Sequence, residues 1–273
     1  MALPATLLDP PGSASHAGAL DIARRDVQRR AAGALKTAAE LQSALELQQA
    51  ERILALGIPA LDAVLPQGGL PQGSVIELQV RGASGAATAF ALCACRAAQQ
   101  AGERWHGAQM FERAQSTESP LPWCAFIDPS ASLLAPGVAR LGVELSRLLV
   151  VRPDPEAVER VAIRIAEAKA VSLLVIDLRG GLELRGRAGA QAVSSQRWQR
   201  TIRRLALAVK QLTTTVLLIT PERSQGLPLP VAMRLELART GAESFEIRVG
   251  KERSGRVSPP RVIPWAAFEP VLH

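Results

Sequence analysis

"VIELQVRGASGAAT", residues 75–88, reads as a strand running into a phosphate loop that has lost its working side chains. Residues 75–80 are mostly apolar and β-favouring, and a Gly/Ser turn then opens onto an alanine-rich stretch that favours helix. The pattern of a phosphate loop after such a strand is G-x-x-x-x-G-K-[ST]. Gly85 stands at the last glycine, Ala86 at the lysine and Ala87 at the hydroxyl residue. Val80 replaces the first glycine. Thr88 comes one residue late, about 100° round the helix from the metal-ligating direction. Three readings are open at this point: a damaged nucleotide site, a diverged site that still binds, or a glycine-rich turn with no such history.

Outward from this stretch the chain alternates. Short apolar, β-branched runs occur at 121–128, 146–151, 171–178 and 213–220, and helical patterns at 88–101, 130–141, 154–169 and 192–211. Runs apolar at every position are buried on both faces, as in a mainly parallel sheet. The alternation predicts an α/β fold with helices on both sides of that sheet. Residues 231–240 and 243–250 read as two strands with no helix between them, an antiparallel hairpin at one sheet edge. Residues 103–120 are polar and unpatterned, an exposed loop. Before the core, 1–18 reads as a disordered leader. Residues 19–50 form one helical pattern whose stripe of Leu20, Val27, Leu35, Leu41 and Leu45 is a candidate protein contact. The core domain is set at 51–265 and a C-terminal tail at 266–273.

Bulk properties narrow the classes. The chain has 273 residues, 48% hydrophobic, a net charge of +7 and a pI near 10.3. That basic balance favours nucleic acid or an acidic partner. No apolar run of 18 residues exists, so a membrane span is not expected. The start lacks a signal peptide's charged and apolar regions. Cys93, Cys95 and Cys124 make no disulfide or zinc pattern, and reduced buried thiols are expected. The three histidines are scattered, and no hydrolase motif occurs. No metal is expected.

Blocks in order then carry a likeness. "LALGIPALDAVLPQGGLPQGSVIEL", "CAFIDPSASL", "LGVELSRLLVVRPD", "LLVIDLRG", "RWQRTIRRLALAVKQLTTTVLLI" and "VAMRLELARTGAESFEIRVGKERSG" each resemble a consecutive block of RecA, over about residues 53–257. The fold this implies is a RecA-like P-loop core: a mainly parallel central sheet flanked by helices, an antiparallel edge hairpin, and an N-terminal helix. RecA's carboxy-terminal domain has no counterpart. Short RecA-like chains with a degraded phosphate loop resemble the ImuA proteins, also labelled SulA-like. The resemblance implies SOS-induced mutagenesis and translesion synthesis alongside RecA, the Y-family polymerase homologue ImuB and an error-prone replicative-type polymerase subunit. A cytoplasmic, nucleoid-associated protein is expected, with homo-oligomerisation left open by the sequence.

The resemblance also assigns site positions. Gly82, Ser84, Gly85, Ala86, Ala87 and Thr88 form the degenerate nucleotide loop, and Asp177 is the remnant of the Walker B aspartate. Ser130 stands at the glutamate that activates water, and Pro221 near the glutamine that senses the γ-phosphate. With lysine, metal hydroxyl and glutamate all replaced, the expectation is a pseudo-ATPase with no catalytic residue and no cofactor. Lys251 and Arg253 stand where RecA has lysines that reach a neighbour's nucleotide. Arg179, Arg185, Arg187, Arg197, Arg200, Arg203 and Arg204 make a basic stretch beginning at the position of RecA's first DNA loop. Trp198 lies beside it as a candidate stacking platform for an unpaired base. These residues, with Lys251 and Arg253, are candidate contacts for single-stranded DNA or an acidic partner. The leading expectation is a non-catalytic adaptor linking RecA, ImuB and DNA. The alternatives are an active DNA-dependent ATPase or recombinase with an atypical loop, and a SulA-like inhibitor of RecA filaments or cell division.

Overall fold

The central strands hold the fold because their two faces are both apolar. In Val171–Asp177, Leu173 and Val175 enter one core cluster while Leu174 and Ile176 enter the other. In Thr215–Pro221, Leu217 and Ile219 oppose Val216 and Leu218 in the same way. Such strands need cover on both sides, and a layer of helices on each supplies it. The computed structural model describes residues 52–82, 85–109, 122–179, 188–222, 229–253, 255 and 257–268, without the side chains of 102–109 and 188–195. The chain divides into two compact units, Met1–Glu51 and Arg52–His273, and every described residue belongs to the second. The predicted 19–50 helix, with Leu20, Val27, Leu35, Leu41 and Leu45, lies outside the described residues.

In chain order the elements are β1 (Ile53–Leu54), α1 (Pro59–Asp62), β2 (Leu70–Pro71), β3 (Val75–Arg81), α2 (Gly85–Gln109) and β4 (Trp123–Ile127). Then come α3 (Ala135–Arg140), β5 (Leu148–Val151), α4 (Val158–Ala168), β6 (Val171–Asp177), α5 (Ala188–Val209) and β7 (Thr215–Pro221). β8 (Met233–Arg239), β9 (Ser244–Glu252), β10 (Arg261–Pro264) and a 3-10 turn, Trp265–Phe268, close the described chain. β1 and β2 pair antiparallel; the other eight strands form one sheet in the order β10-β9-β8-β3-β7-β6-β4-β5. The pairs from β8 to β5 are parallel, and β8–β9 and β9–β10 are antiparallel. The sheet is therefore the expected α/β arrangement with an antiparallel edge, extended by β10, which the proline-rich sequence around it did not suggest.

Helix α2 covers one face of the sheet, and α4 with α5 the other. On α5, Trp198, Ile202, Leu205 and Val209 recur at threes and fours and are all buried. Each such side chain contributes about 1.5–3 kcal/mol by leaving water. Glu77 is the exception in the central strand β3. Its carboxylate, 0% exposed, accepts hydrogen bonds from Arg234 Nε at 2.7 Å and Thr220 Oγ1 at 2.9 Å. A charge this deep is tolerated because both oxygens are answered.

Element boundaries differ from expectation where side chains compete for the backbone. The helix predicted at 130–141 is formed only over Ala135–Arg140. Ser130, Ser132 and Leu133 are instead tied to the Asp128 carboxylate, and Ala131, whose N–H donates to the Asp128 carbonyl, takes a positive φ of 52°. Helix α2 begins at Gly85 and runs to Gln109, into the stretch expected to be a loop from 103. No proline interrupts the stretch up to Gln109, and good helix formers such as Ala101, Glu103, Arg104 and Ala108 flank its two weak points, Gly102 and Gly107. The core also passes the expected boundary at 265: Phe268 is 1% exposed and its ring stacks on Phe245 at 4.8 Å.

The entry to the core has a local explanation too. Asp62 accepts the backbone N–H groups of Leu56 and Gly57 at 2.9 and 3.0 Å, closing the turn in "GIPALD". Gly73 has φ +65°, and a Cβ there would meet the Leu212 carbonyl at 2.8 Å, so only glycine fits the turn before β3.

Candidate functional site

The carboxyl ends of β3, β4, β6 and β7 lie on one side of the sheet, where ligands bind in open α/β folds. At the end of β3, Gly82 has φ +74°, a conformation that suits glycine and turns the chain towards α2. Ser84 lies outside the described residues. Gly85 opens α2, and the Trp265 ring lies over it, 3.8 Å from where a Cβ would be. Ala86 and Ala87 are 1% and 0% exposed and belong to the apolar core. The two positions assigned to phosphate lysine and metal hydroxyl thus carry buried methyl groups.

Asp177, at the end of β6, is 2% exposed. Arg179 Nε donates to its Oδ1 at 2.9 Å and Nη2 to its Oδ2 at 2.6 Å, a forked pair. The same Nη2 donates to Thr88 Oγ1 at 2.7 Å, across 91 residues of sequence. Two expectations change. Thr88, placed by the sequence away from the metal-ligating direction, has its hydroxyl joined to Asp177 through one guanidinium. Arg179 is no free cation for DNA, since it is bound into this pair. Arg185 and Arg187 lie outside the described residues.

At the end of β4, Asp128 is fully buried and ties down the loop that follows. Its oxygens accept from Ser130 Oγ (3.1 Å), Ser132 N (3.1 Å), Ser132 Oγ (3.2 Å) and Leu133 N (2.8 Å). Burial by itself raises a carboxyl pKa. The Leu133 and Ser132 amides, with the Ser130 and Ser132 hydroxyls, outweigh it and hold Asp128 below its ordinary 3.8. Ser130, at the position of the water-activating glutamate, is thus part of a structural turn. Pro221 ends β7, and the next residue, Glu222, pairs with Arg81 at 2.8 Å beside the loop. Lys251 Nζ donates to the Leu229 carbonyl at 3.3 Å, and Arg253 is exposed in the turn after β9.

The basic stretch divides on the structure. Arg197 pairs with Glu159 at 2.8 Å and Arg204 with Glu167 at 2.7 Å, so both act as struts between α5 and α4. Trp198 is 3% exposed, packed in the core, so the stacking platform expected of it is not on the surface. Its position one residue from Arg197 turns it inward on the helix. Arg200 and Arg203 face solvent, and α4 adds Arg160 and Arg164, which the reading of the sequence did not single out. None of these four has a carboxylate partner among the described residues. Their helical spacing of three and four was visible, but that the two helices lie side by side was not.

Comparison with known proteins bears on this geometry. A family model of the RecA N-terminal domain matches residues 42–226. The chain belongs to the RecA family. It is 25% identical over 234 residues to Protein RecA of Delftia acidovorans and 27% identical over 241 residues to Protein RecA of Pseudomonas fluorescens. These matches cover 78% and 80% of the chain but 57% and 63% of the two relatives, so the chain spans less than two thirds of their length.

A RecA-family site that takes Mg-nucleotide needs a cation for the phosphates and a hydroxyl for the metal. The described residues here do not fit that group. Ala86 offers no charge and Ala87 no oxygen. Thr88 Oγ1 and both Asp177 oxygens already accept from Arg179, and a divalent ion between them would meet a guanidinium of like charge. The three free thiols elsewhere in this core are buried, and two of them are held towards the protonated form. Burial pushes Cys93 up to about 11 against the lowering field of Arg96. Cys95 is raised by its hydrogen bond with Cys124 and by burial.

Proposed function

We propose that this RecA-family chain is a non-catalytic accessory protein of DNA repair, an adaptor of the ImuA type that acts in SOS-induced translesion synthesis. The observation that carries the reading is the pair of buried alanines, Ala86 and Ala87, at the two positions where nucleotide chemistry needs a cation and a hydroxyl. A surviving fold with lost site chemistry directs function to surfaces.

Two surfaces support an adaptor. The ridge of Arg160, Arg164, Arg200 and Arg203 suits the phosphates of single-stranded DNA, since guanidinium forks match phosphate geometry. The other is the sheet edge at β5, which no further strand pairs among the described residues. On β5, Leu149 and Val150 are 45% and 37% exposed, and a groove of about 350 Å³ beside the strand is lined by Leu133, Val138, Leu145 and Leu148. An apolar edge strand with unpaired backbone groups invites another chain. In this reading the edge meets RecA, and ImuB and the polymerase subunit join the same assembly.

The test is a titration with Mg-ATP and single-stranded DNA, run with co-purification of RecA and ImuB. Capture of either protein with no nucleotide turnover supports the adaptor. A second reading, a DNA-dependent ATPase with an atypical loop, has one observation in its favour: Thr88 Oγ1 and Asp177 Oδ2 share one donor, Arg179 Nη2. DNA-stimulated hydrolysis that Asp177→Asn abolishes would establish it instead.

A further inference from the structure

We infer that Arg179 is a built-in cation, occupying the place between β6 and α2 where a nucleotide-bound metal would sit and making the closed site independent of any ligand. The inference rests on the nucleotide-free reading above and names the residue that makes it possible. Asp177 is nearly excluded from water, so its carboxylate needs a positive partner at all times. Arg179 supplies it with both arms of its fork, at 2.9 and 2.6 Å. Its own backbone N–H also donates to Asp177 Oδ1 at 3.0 Å, which fixes the turn directly after the strand. The Nη2 bond to Thr88 Oγ1 at 2.7 Å then joins the end of β6 to the first turns of α2.

These are the two elements that a metal and its nucleotide would otherwise bridge. The Arg179 side chain is 22% exposed, so the pair is shielded on most sides, and charge-assisted bonds gain strength there. Arg179 is two residues from Asp177, so it is delivered by the same strand end. The site carries its cation wherever it folds. Lysine could supply the charge but not the fork, because its ammonium is a single point.

The test uses the whole chain and reads thermal unfolding, with EDTA or with millimolar MgCl2 or MnCl2. Wild type is expected to be indifferent to the metal. Arg179→Ala leaves a buried carboxylate uncompensated and is expected to unfold about 5–10 °C lower in EDTA. Magnesium or manganese should return part of that loss, because the freed Asp177 and Thr88 oxygens become a cation site. Arg179→Lys should fall between the two. The double variant Arg179→Ala/Asp177→Asn should lose its response to metal and regain stability over Arg179→Ala alone, which keeps the test valid if the single variant folds poorly. An Arg179→Ala protein as stable as wild type, or one whose loss neither metal nor Asp177→Asn relieves, overturns the inference and leaves the adaptor reading standing. A wild type whose unfolding temperature rises with Mg-ATP overturns both.

Discussion

Asp128 shows how one side chain can hold a turn where the fold family has chemistry. Its buried carboxylate collects two backbone amides and two hydroxyls and is held below the ordinary carboxylate range. A lowered folded-state pKa gives stability that is full above the unfolded value, about 3.9, and is lost as pH falls through the folded value. Asp128→Asn should therefore be less stable than wild type at neutral pH, by roughly 1–3 kcal/mol. The gap should narrow in acid below about pH 4. Denaturant titrations at pH 7 and in acid check this, and a gap unchanged with pH would contradict it. The buried pair in β3 is a second case. Arg234→Met removes the cation that pairs with the buried Glu77 carboxylate and should cost about 3–5 kcal/mol in the same measurement. Glu77 was legible as an oddity, a charge between Ile76 and Leu78 in an apolar run. Its partners lie 143 and 157 residues away, beyond what a local pattern can reach.

At the scale of elements, the strands and their alternation with helices were readable because burial on both faces forces a continuous apolar run. Helix ends were less so. The start of the 130–141 pattern was lost to the Asp128 turn, a local side-chain competition for the backbone within five residues that a helical periodicity does not register. The basic stretch misled for a similar reason. Seven arginines between 179 and 204 looked like one surface. Arg179 faces inward to Asp177, Arg197 and Arg204 brace α5 against α4, and Arg200 and Arg203 stand free of carboxylates among the described residues. Single-strand DNA binding should therefore respond to Arg160→Ala, Arg164→Ala, Arg200→Ala and Arg203→Ala made together. Each lost phosphate contact lowers the slope of log affinity against log salt by about 0.7. The four changes should take up to roughly 3 from it, and an unchanged slope would remove the ridge from the DNA contact. The exposed pairs of Arg197 and Arg204 should matter little, under about 1 kcal/mol each in stability. At the other sheet edge, Leu149→Glu with Val150→Arg should abolish RecA co-purification while leaving the unfolding transition in place. Capture retained at wild-type level would move the contact elsewhere.

For the whole molecule, the family and the mainly parallel sheet with its antiparallel edge follow from the sequence, because the RecA-like blocks come in order, while the strand order comes from the fold itself. The state of the nucleotide site follows only in part. Ala86 and Ala87 are visible as substitutions, but the guanidinium that answers Asp177 is not, since only folding brings Thr88 to Arg179. In the proposed reading, a site closed by its own side chain gains nothing from a ligand there. In a bound RecA-type site, ligand at 100 times its dissociation constant would add about 2.7 kcal/mol to stability. The most direct measurement of the central claim is calorimetric titration of the wild-type chain with Mg-ATP, with and without single-stranded DNA. The account predicts no saturable heat and no phosphate release in either case. Saturable binding followed by DNA-stimulated phosphate release, abolished by Asp177→Asn, would contradict it.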